Sequence, residues 1–136
     1  MNEIRYQLEP SLGTAEFIAV LRRSTLAERR PVDDLPRIEQ MLRQADIVLT
    51  ARTTDGLLVG ISRAITDFCY CCYLSDLAVD QAYQGRGIGK ELIHRTQDAA
   101  GPQAKLTLLA APAARSYYPH IGLTHHDSCW ALERQS

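Results

Sequence analysis

The sequence predicts a mixed α/β domain, a largely antiparallel sheet that ends in a parallel β-α-β unit. Three observations predict it. Two runs of β-formers, Ile47 to Thr53 and Leu57 to Thr66, are joined through Asp55-Gly56, a strong short-range hairpin signal. A longer apolar segment, Cys69 to Val79, extends that meander by a third strand. A glycine-rich turn, an amphipathic helix and a further apolar strand, Lys105 to Ala110, then follow, and a crossover of helix length requires that strand to run parallel to the Cys69 to Val79 strand. The 136 residues fit one domain around one core, and a composition of 46% hydrophobic and 23% charged residues is that of a chain that folds by itself.

The remaining elements follow in order. Ile4 to Leu8 alternates apolar and polar residues and is stopped by Glu9-Pro10-Ser11, which predicts a short first strand. From Thr14, the helical spacing of Phe17, Ile18 and Leu21 predicts one helix. A second helix, on Leu35, Ile38, Met41, Leu42 and Ala45, starts after the capping candidates Asp33 and Asp34. The basic loop between them, Arg29-Arg30-Pro31, reads as solvated surface rather than a substrate contact. In the helix after the glycine turn, Ile88, Leu92, Thr96 and Ala99 form one stripe, Glu91 and Arg95 pair on the wet side, and Gly101-Pro102 ends the run. Ala113 to Tyr118 suits one or two helical turns before Pro119 and Gly122, and a last strand is expected around Ser128 to Glu133.

Several function classes are excluded by bulk properties. The formal net charge is -1 and Lys and Arg are scattered, so the electrostatic term behind nucleic-acid binding is weak. No apolar run approaches the roughly 18 to 20 residues that span a bilayer. Met1-Asn2-Glu3 lacks a signal pattern, so no membrane association and a cytoplasmic location are expected. Cys69, Cys71 and Cys72 crowd one apolar segment and Cys129 stands apart, which fits neither a zinc site nor a disulfide framework; all four read as reduced core residues. Burial there raises a thiol pKa, which argues against Cys71 or Cys72 as a nucleophile with His94, His120, His125 or His126. His125-His126 has no further ligands at regular spacing, so no metal is expected.

The chemistry concentrates in Gln84-Gly85-Arg86-Gly87-Ile88-Gly89-Lys90, which follows the strand ending at Val79 and opens a helix. Free backbone N–H groups at a helix N-terminus, with glycines that let a ligand approach, make an anion site suited to a diphosphate. A Walker loop is ruled out because Lys90 is followed by Glu91, and a dinucleotide fingerprint fails because the glycines fall as G-x-G-x-G after antiparallel strands.

Gln84-x-x-Gly87-x-Gly89 resembles the Q/R-x-x-G-x-G/A signature of the GNAT superfamily of N-acetyltransferases. Tyr73-Leu74-Ser75-Asp76-Leu77-Ala78-Val79 looks like that family's bulged central strand, and Ala114, Tyr118, Gly122 and Leu123 match its A-x-x-x-Y-x-x-x-G-F/L pattern. The resemblance implies a GNAT-type mixed sheet with helices on both faces, acetyl-CoA as cofactor, and acetyl transfer to a primary amine of a small molecule or peptide. It implies that the main chain around Leu77, Ala78 and Val79 holds the pantetheine and that the stretch Gln84, Gly85, Arg86, Gly87, Ile88, Gly89 and Lys90 holds the pyrophosphate. Tyr118 matches the tyrosine that protonates the departing thiolate. A homodimer is common in the family, although no sequence feature here demands one. Ala111 stands where the family often has Asn, so one cofactor contact is missing.

Attack on a thioester needs a neutral amine, whose free pKa is roughly 10.4, so its proton must be taken up. Asp76 is the carboxylate closest to the active end of the central strand and reads either as the base acting through water or as a structural acceptor. Tyr73, His120 and Glu91 are weaker alternatives, and Tyr117 reads as a core or rim aromatic. A non-catalytic acyl-CoA-binding module is the alternative from another class; the presence of Tyr118 argues against it.

Overall fold

A computed structural model describes residues 3–135. Five strands, β1 (Ile4–Leu8), β2 (Ile47–Thr53), β3 (Leu58–Thr66), β4 (Cys71–Val79) and β5 (Lys105–Leu108), form one sheet in chain order. The first three pairings are antiparallel and β4–β5 is parallel. Helices α1 (Thr14–Ser24) and α2 (Leu35–Gln44) cover one face, and α3 (Ile88–Ala100) covers the other. Each face has its own core: Phe17, Leu21, Ile38, Leu42 and Ile61 on the α1/α2 side, and Val59, Leu74, Ile88 and Leu92 on the α3 side.

Local chemistry accounts for the boundaries. Asp34 caps α2 by accepting from the Arg37 N–H at 3.2 Å. The stripe of α3 is buried as expected at Ile88, Leu92 and Thr96, and Arg95 donates to Glu91 on the exposed side at 2.6 Å. Gly60 lets α3 approach β3 closely, since a Cβ there would meet Leu92 at 3.1 Å and Ile88 at 3.2 Å.

Four expectations are corrected. Cys69 and Tyr70 belong to a turn rather than to β4, because the Asp67 carboxylate accepts from the N–H groups of Cys69, Tyr70 and Cys71 and folds the chain there. Of the four cysteines only Cys72 is a core residue; Cys69, Cys71 and Cys129 are exposed. The parallel strand stops at Leu108, where β4 parts from it. Ser128 to Glu133 forms no strand, and Trp130 and Leu132 are fully exposed there, with no sheet neighbour. The helical turns near Ala113 come as a 3-10 turn, Pro112–Ala114, then α4, Tyr117–His120.

Candidate active site

The β3–β4 ladder slips by one residue. Arg63 faces Asp76 and Ala64 faces Leu74, so Ser75 is the extra residue of a β-bulge. The bulge inverts the facing of every later side chain: Cys72 and Leu74 point to the α3 core, then Leu77 and Val79 do so, while Ala78 joins the α1/α2 core. It also ends the parallel pairing, whose last register is Leu74 with Leu108. From Ser75 to Val79, β4 therefore has a strand on one side and a gap on the other.

Main-chain direction across that gap follows from alternation. Asp80 donates its N–H to Val59 on β3 at 2.8 Å, so Ala78 also turns its main chain to β3, and Leu77 and Val79 turn theirs to the gap. Of the three residues expected to hold pantetheine, Ala78 is thus withdrawn. Gln84 Nε2 donates to the Val79 carbonyl at 3.0 Å, which gives that side chain a structural partner and leaves the Val79 amide and both Leu77 groups for a ligand.

The glycine turn is anchored from below. Asp80 is nearly buried; one carboxylate oxygen accepts from the Ala82 N–H at 2.9 Å and the other from Arg23 Nε at 2.9 Å. Arg23 also donates to the Leu58 carbonyl at 2.6 Å, tying α1 to the end of β4. The sequence reading missed both residues, although an Asp closing a strand two residues before a free amide is a capping signal. Gly85 (φ +80°) and Gly87 (φ +82°) adopt the left-handed conformation, and a Cβ on either would meet nothing within 4 Å. Both therefore border open space at the start of α3, where the N–H groups of its first turn lack helical acceptors. The guanidinium of Arg86 stacks over the Tyr83 ring at 4.8 Å on the rim, the Lys90 side chain is exposed, and Ile88 contributes its side chain to the core.

Asp76 is fully buried on the α1/α2 side. Its Oδ1 accepts from Arg30 Nε at 2.5 Å and its Oδ2 from Arg63 Nε at 2.5 Å. The same guanidinium groups bond the bulge itself: Arg30 donates to the Ser75 carbonyl at 2.8 Å and Arg63 to the Ser75 hydroxyl at 3.0 Å. Arg30 is accordingly no solvated loop residue. Its loop is fastened beneath the bulge, and Asp76 has both oxygens occupied and no contact with water.

Tyr118 packs on the α3-side core together with Leu77 and Val79. Burial, with a smaller contribution from Tyr117, pushes its hydroxyl above the ordinary phenol pKa. The Tyr117 ring meets it edge-on, centroids 5.3 Å apart. Glu91 is engaged by Arg95, Tyr73 and His120 are exposed, and among the described residues no group of three His, Cys, Asp or Glu side chains converges as a metal site. Two shallow hollows, of 430 Å³ beside Arg23 and Leu57 and of 590 Å³ beside Ile65, Tyr73 and Thr107, lie apart from the glycine turn.

Residues 32–129 match the family model of the acetyltransferase (GNAT) domain. An uncharacterised N-acetyltransferase of Pyropia yezoensis is 27% identical over 93 residues, 65% of this chain and 53% of that one, so the chain spans about half the length of this curated relative. Among solved structures, a GNAT family acetyltransferase of Streptococcus pneumoniae superposes with a TM-score of 0.70 at 17% identity, covering 98% of both chains. The aminoglycoside N-acetyltransferase AAC(6')-Iy, solved in complex with CoA, superposes with a TM-score of 0.74 at 18% identity over 100% of this chain and 97% of that one. At these identities the likenesses show a shared fold.

Proposed function

Since the chain belongs to the GNAT acetyltransferase family, we propose that it transfers acetyl from acetyl-CoA to a primary amine of a small molecule or peptide by direct attack. The observation that carries the reading is the pair Gly85 and Gly87, both at positive φ and both bordering open space at the first turn of α3. A diphosphate fits there, because side chains at these positions would be strained and would fill the approach. The amides from Gly85 to Lys90 hold the diphosphate. The amide of Val79 and the carbonyl of Leu77 hold the pantetheine as a strand-like partner on the open side of β4.

When bound, acetyl-CoA supplies an acyl group on a sulfur leaving group with a thiol-type pKa of about 8.5. The Leu77 N–H, turned into the gap, stabilises negative charge on the acyl oxygen without a catalytic side chain. The Tyr118 hydroxyl stays protonated because burial raises its pKa, and it gives that proton to the departing sulfur. Asp76, closed off by Arg30 and Arg63, holds the bulge in place and does not act as the base. The attacking amine is then drawn in its neutral form from solution, so turnover rises with pH toward the amine's own pKa. The site is a cytoplasmic one in this reading, and it needs no metal. An acceptor of small size is consistent with the aminoglycoside activity that one structural neighbour's name records.

Isothermal titration of wild type and Gly87→Glu with CoA and acetyl-CoA tests the reading, with thermal melts to verify that the variant is folded. Micromolar binding by wild type, lost in a folded variant, supports it. A wild type that takes up neither ligand sinks it.

A further inference from the structure

The hollow beside Ile65, Tyr73 and Thr107 lies on the sheet face opposite α3. Ala64, Leu74 and Leu108 turn toward the α3 core, so by alternation Ile65, Tyr73 and Thr107 present their side chains to the other face. The three form one cross-strand row, Ile65 paired with Tyr73 and Tyr73 with Thr107. Helices α1 and α2 leave this row uncovered, with Ile65 42% and Tyr73 41% exposed. It stands one pairing before Leu74 with Leu108, the last register before β4 and β5 part. The hollow therefore opens beside the gap, on the face opposite Tyr118, which packs on the α3 side. At the gap end, Arg30 and Arg63 surround the single carboxylate of Asp76, which leaves one net positive charge among these three side chains. At the far end Asp67 is the one carboxylate of the lining, and its Oδ1 accepts from the N–H groups of Cys69, Tyr70 and Cys71 at 3.1, 2.8 and 3.0 Å. Between these ends the walls are the Tyr73 ring and the Ile65 side chain, with Thr107 on the β5 side.

We infer that this hollow receives the amine acceptor, and that Tyr73 and Ile65 select a primary amine carried on a flat apolar body, an arylalkylamine, over a polycationic amino sugar. This rests on the acetyltransferase reading and narrows its acceptor. A flat ring packs on Tyr73 and Ile65, and 590 Å³ suits a molecule of that size. The net positive charge at the gap end disfavours a polycation and favours an amine in its neutral, attacking form. The Leu77 N–H lies four residues beyond Tyr73, on the order of 10 Å along the bulged strand, a span that a short alkyl chain on the ring bridges. The amine nitrogen then forms its bond to the acyl carbon from the hollow side. The carbon–sulfur bond breaks toward sulfur, which takes the Tyr118 proton on the α3 side, and the proton lost by nitrogen passes through water to restore Tyr118.

Thiol release from acetyl-CoA tests the inference, with 2-phenylethylamine and with kanamycin, whose charge is spread over several ammonium groups. Wild type should show the higher kcat/KM with 2-phenylethylamine. Tyr73→Ala should raise the KM for this amine about 10-fold, the scale of one lost aromatic contact, with kcat within about threefold and CoA affinity by calorimetry unchanged. Tyr73→Phe keeps the ring and should hold the wild-type KM. Ile65→Glu sets a carboxylate into the hollow at an exposed position and should move the preference toward kanamycin. Where CoA binds, three results each overturn the inference alone: kanamycin is the better acceptor of wild type, 2-phenylethylamine is not turned over, or its KM ignores Tyr73→Ala. A wild type that binds neither CoA nor acetyl-CoA instead overturns the acetyltransferase reading, and the inference with it.

Discussion

Arg63 stands opposite Asp76 in the β3–β4 ladder and donates from Nε to Oδ2 at 2.5 Å, while Arg30 closes on the other oxygen from a loop 46 residues away in the chain. Two guanidinium groups around one carboxylate, both also bonded to Ser75, fasten the only point where β4 changes its facing. The gap between β4 and β5 exists because of that bulge, so this buried cluster shapes the proposed cofactor site without lining it.

Asp76→Asn should therefore act on stability before chemistry. An amide offers one acceptor oxygen where two are used, and it leaves two buried or half-buried cations uncompensated. Breaking such a pair costs about 3–5 kcal/mol, measurable as a lower urea midpoint at unchanged slope. Arg30→Ala should cost less, since the Arg30 side chain retains 22% exposure against 8% for Arg63. A folded, equally stable Asp76→Asn protein whose turnover has collapsed would return Asp76 to the role of base.

For Tyr118 the expectation is the reverse. Tyr118→Phe keeps the ring in the α3-side core and removes only the proton, so CoA affinity should hold within about threefold. Turnover should fall on the order of 100-fold, the lower end of general-acid effects, because a thiolate departs readily even unassisted. A thiol-release assay with an accepted amine checks the rate, and calorimetry checks the binding. Equal losses of affinity and rate would mean that Tyr118 holds the cofactor rather than supplying a proton.

Much of this was legible in the chain because its signals are local. The glycine turn, its helix stripe and the crossover are short-range patterns, and each formed where expected. The bulge had a signal too: Leu74 and Leu77 both face α3, and apolar residues three apart in a strand share a face only if an extra residue intervenes. Arg30 had none, since a basic residue in a loop looks alike whether it meets water or a carboxylate far along the chain. Ala78 was misplaced by one step of alternation, which depends on a register no single strand declares. Ser128 to Glu133 reads as a strand by composition, but a strand needs a neighbour to pair with, and composition does not supply one.

A pH dependence follows from the cluster of Arg52, Glu9, Glu16 and Thr50 that joins β2 to β1 and α1. The Arg52 hydrogen bond, opposed by partial burial and aided by Thr50 and Gln7, depresses the Glu9 carboxyl from 4.5 to about 2. Arg52 donates to Glu9 at 2.8 Å and to Glu16 at 2.7 Å. A depressed carboxyl stabilises the fold above its unfolded pKa of about 4.3, and the contribution disappears as pH falls through the folded value. The Tm difference between wild type and Glu9→Gln should thus be constant above about pH 5, shrink on acidification and vanish near pH 2. A difference that stays level across this range would show that the carboxylate charge contributes nothing.

Gly60 offers the test of how α3 is seated. Its missing side chain lets Leu92 and Ile88 of α3 come within 3.1 and 3.2 Å of where a Cβ would be, with Ala51 at 3.3 Å behind. Gly60→Val must push α3 off the sheet, at a cost of about 1–3 kcal/mol for overpacking. Ile88 begins α3 and directly follows Gly87, so the displacement reaches the proposed diphosphate cradle along the helix. CoA affinity should then fall in Gly60→Val while the β1–β2 side of the sheet keeps its amide protection in hydrogen exchange. Leu92→Ala in the same chain makes room for the added methyl groups and should recover part of the CoA affinity even though Leu92→Ala alone, a buried leucine truncation, destabilises by about 2–5 kcal/mol. Additive losses in the double variant would mean that the helix does not move as a body, and that the cradle is set by the glycine turn alone.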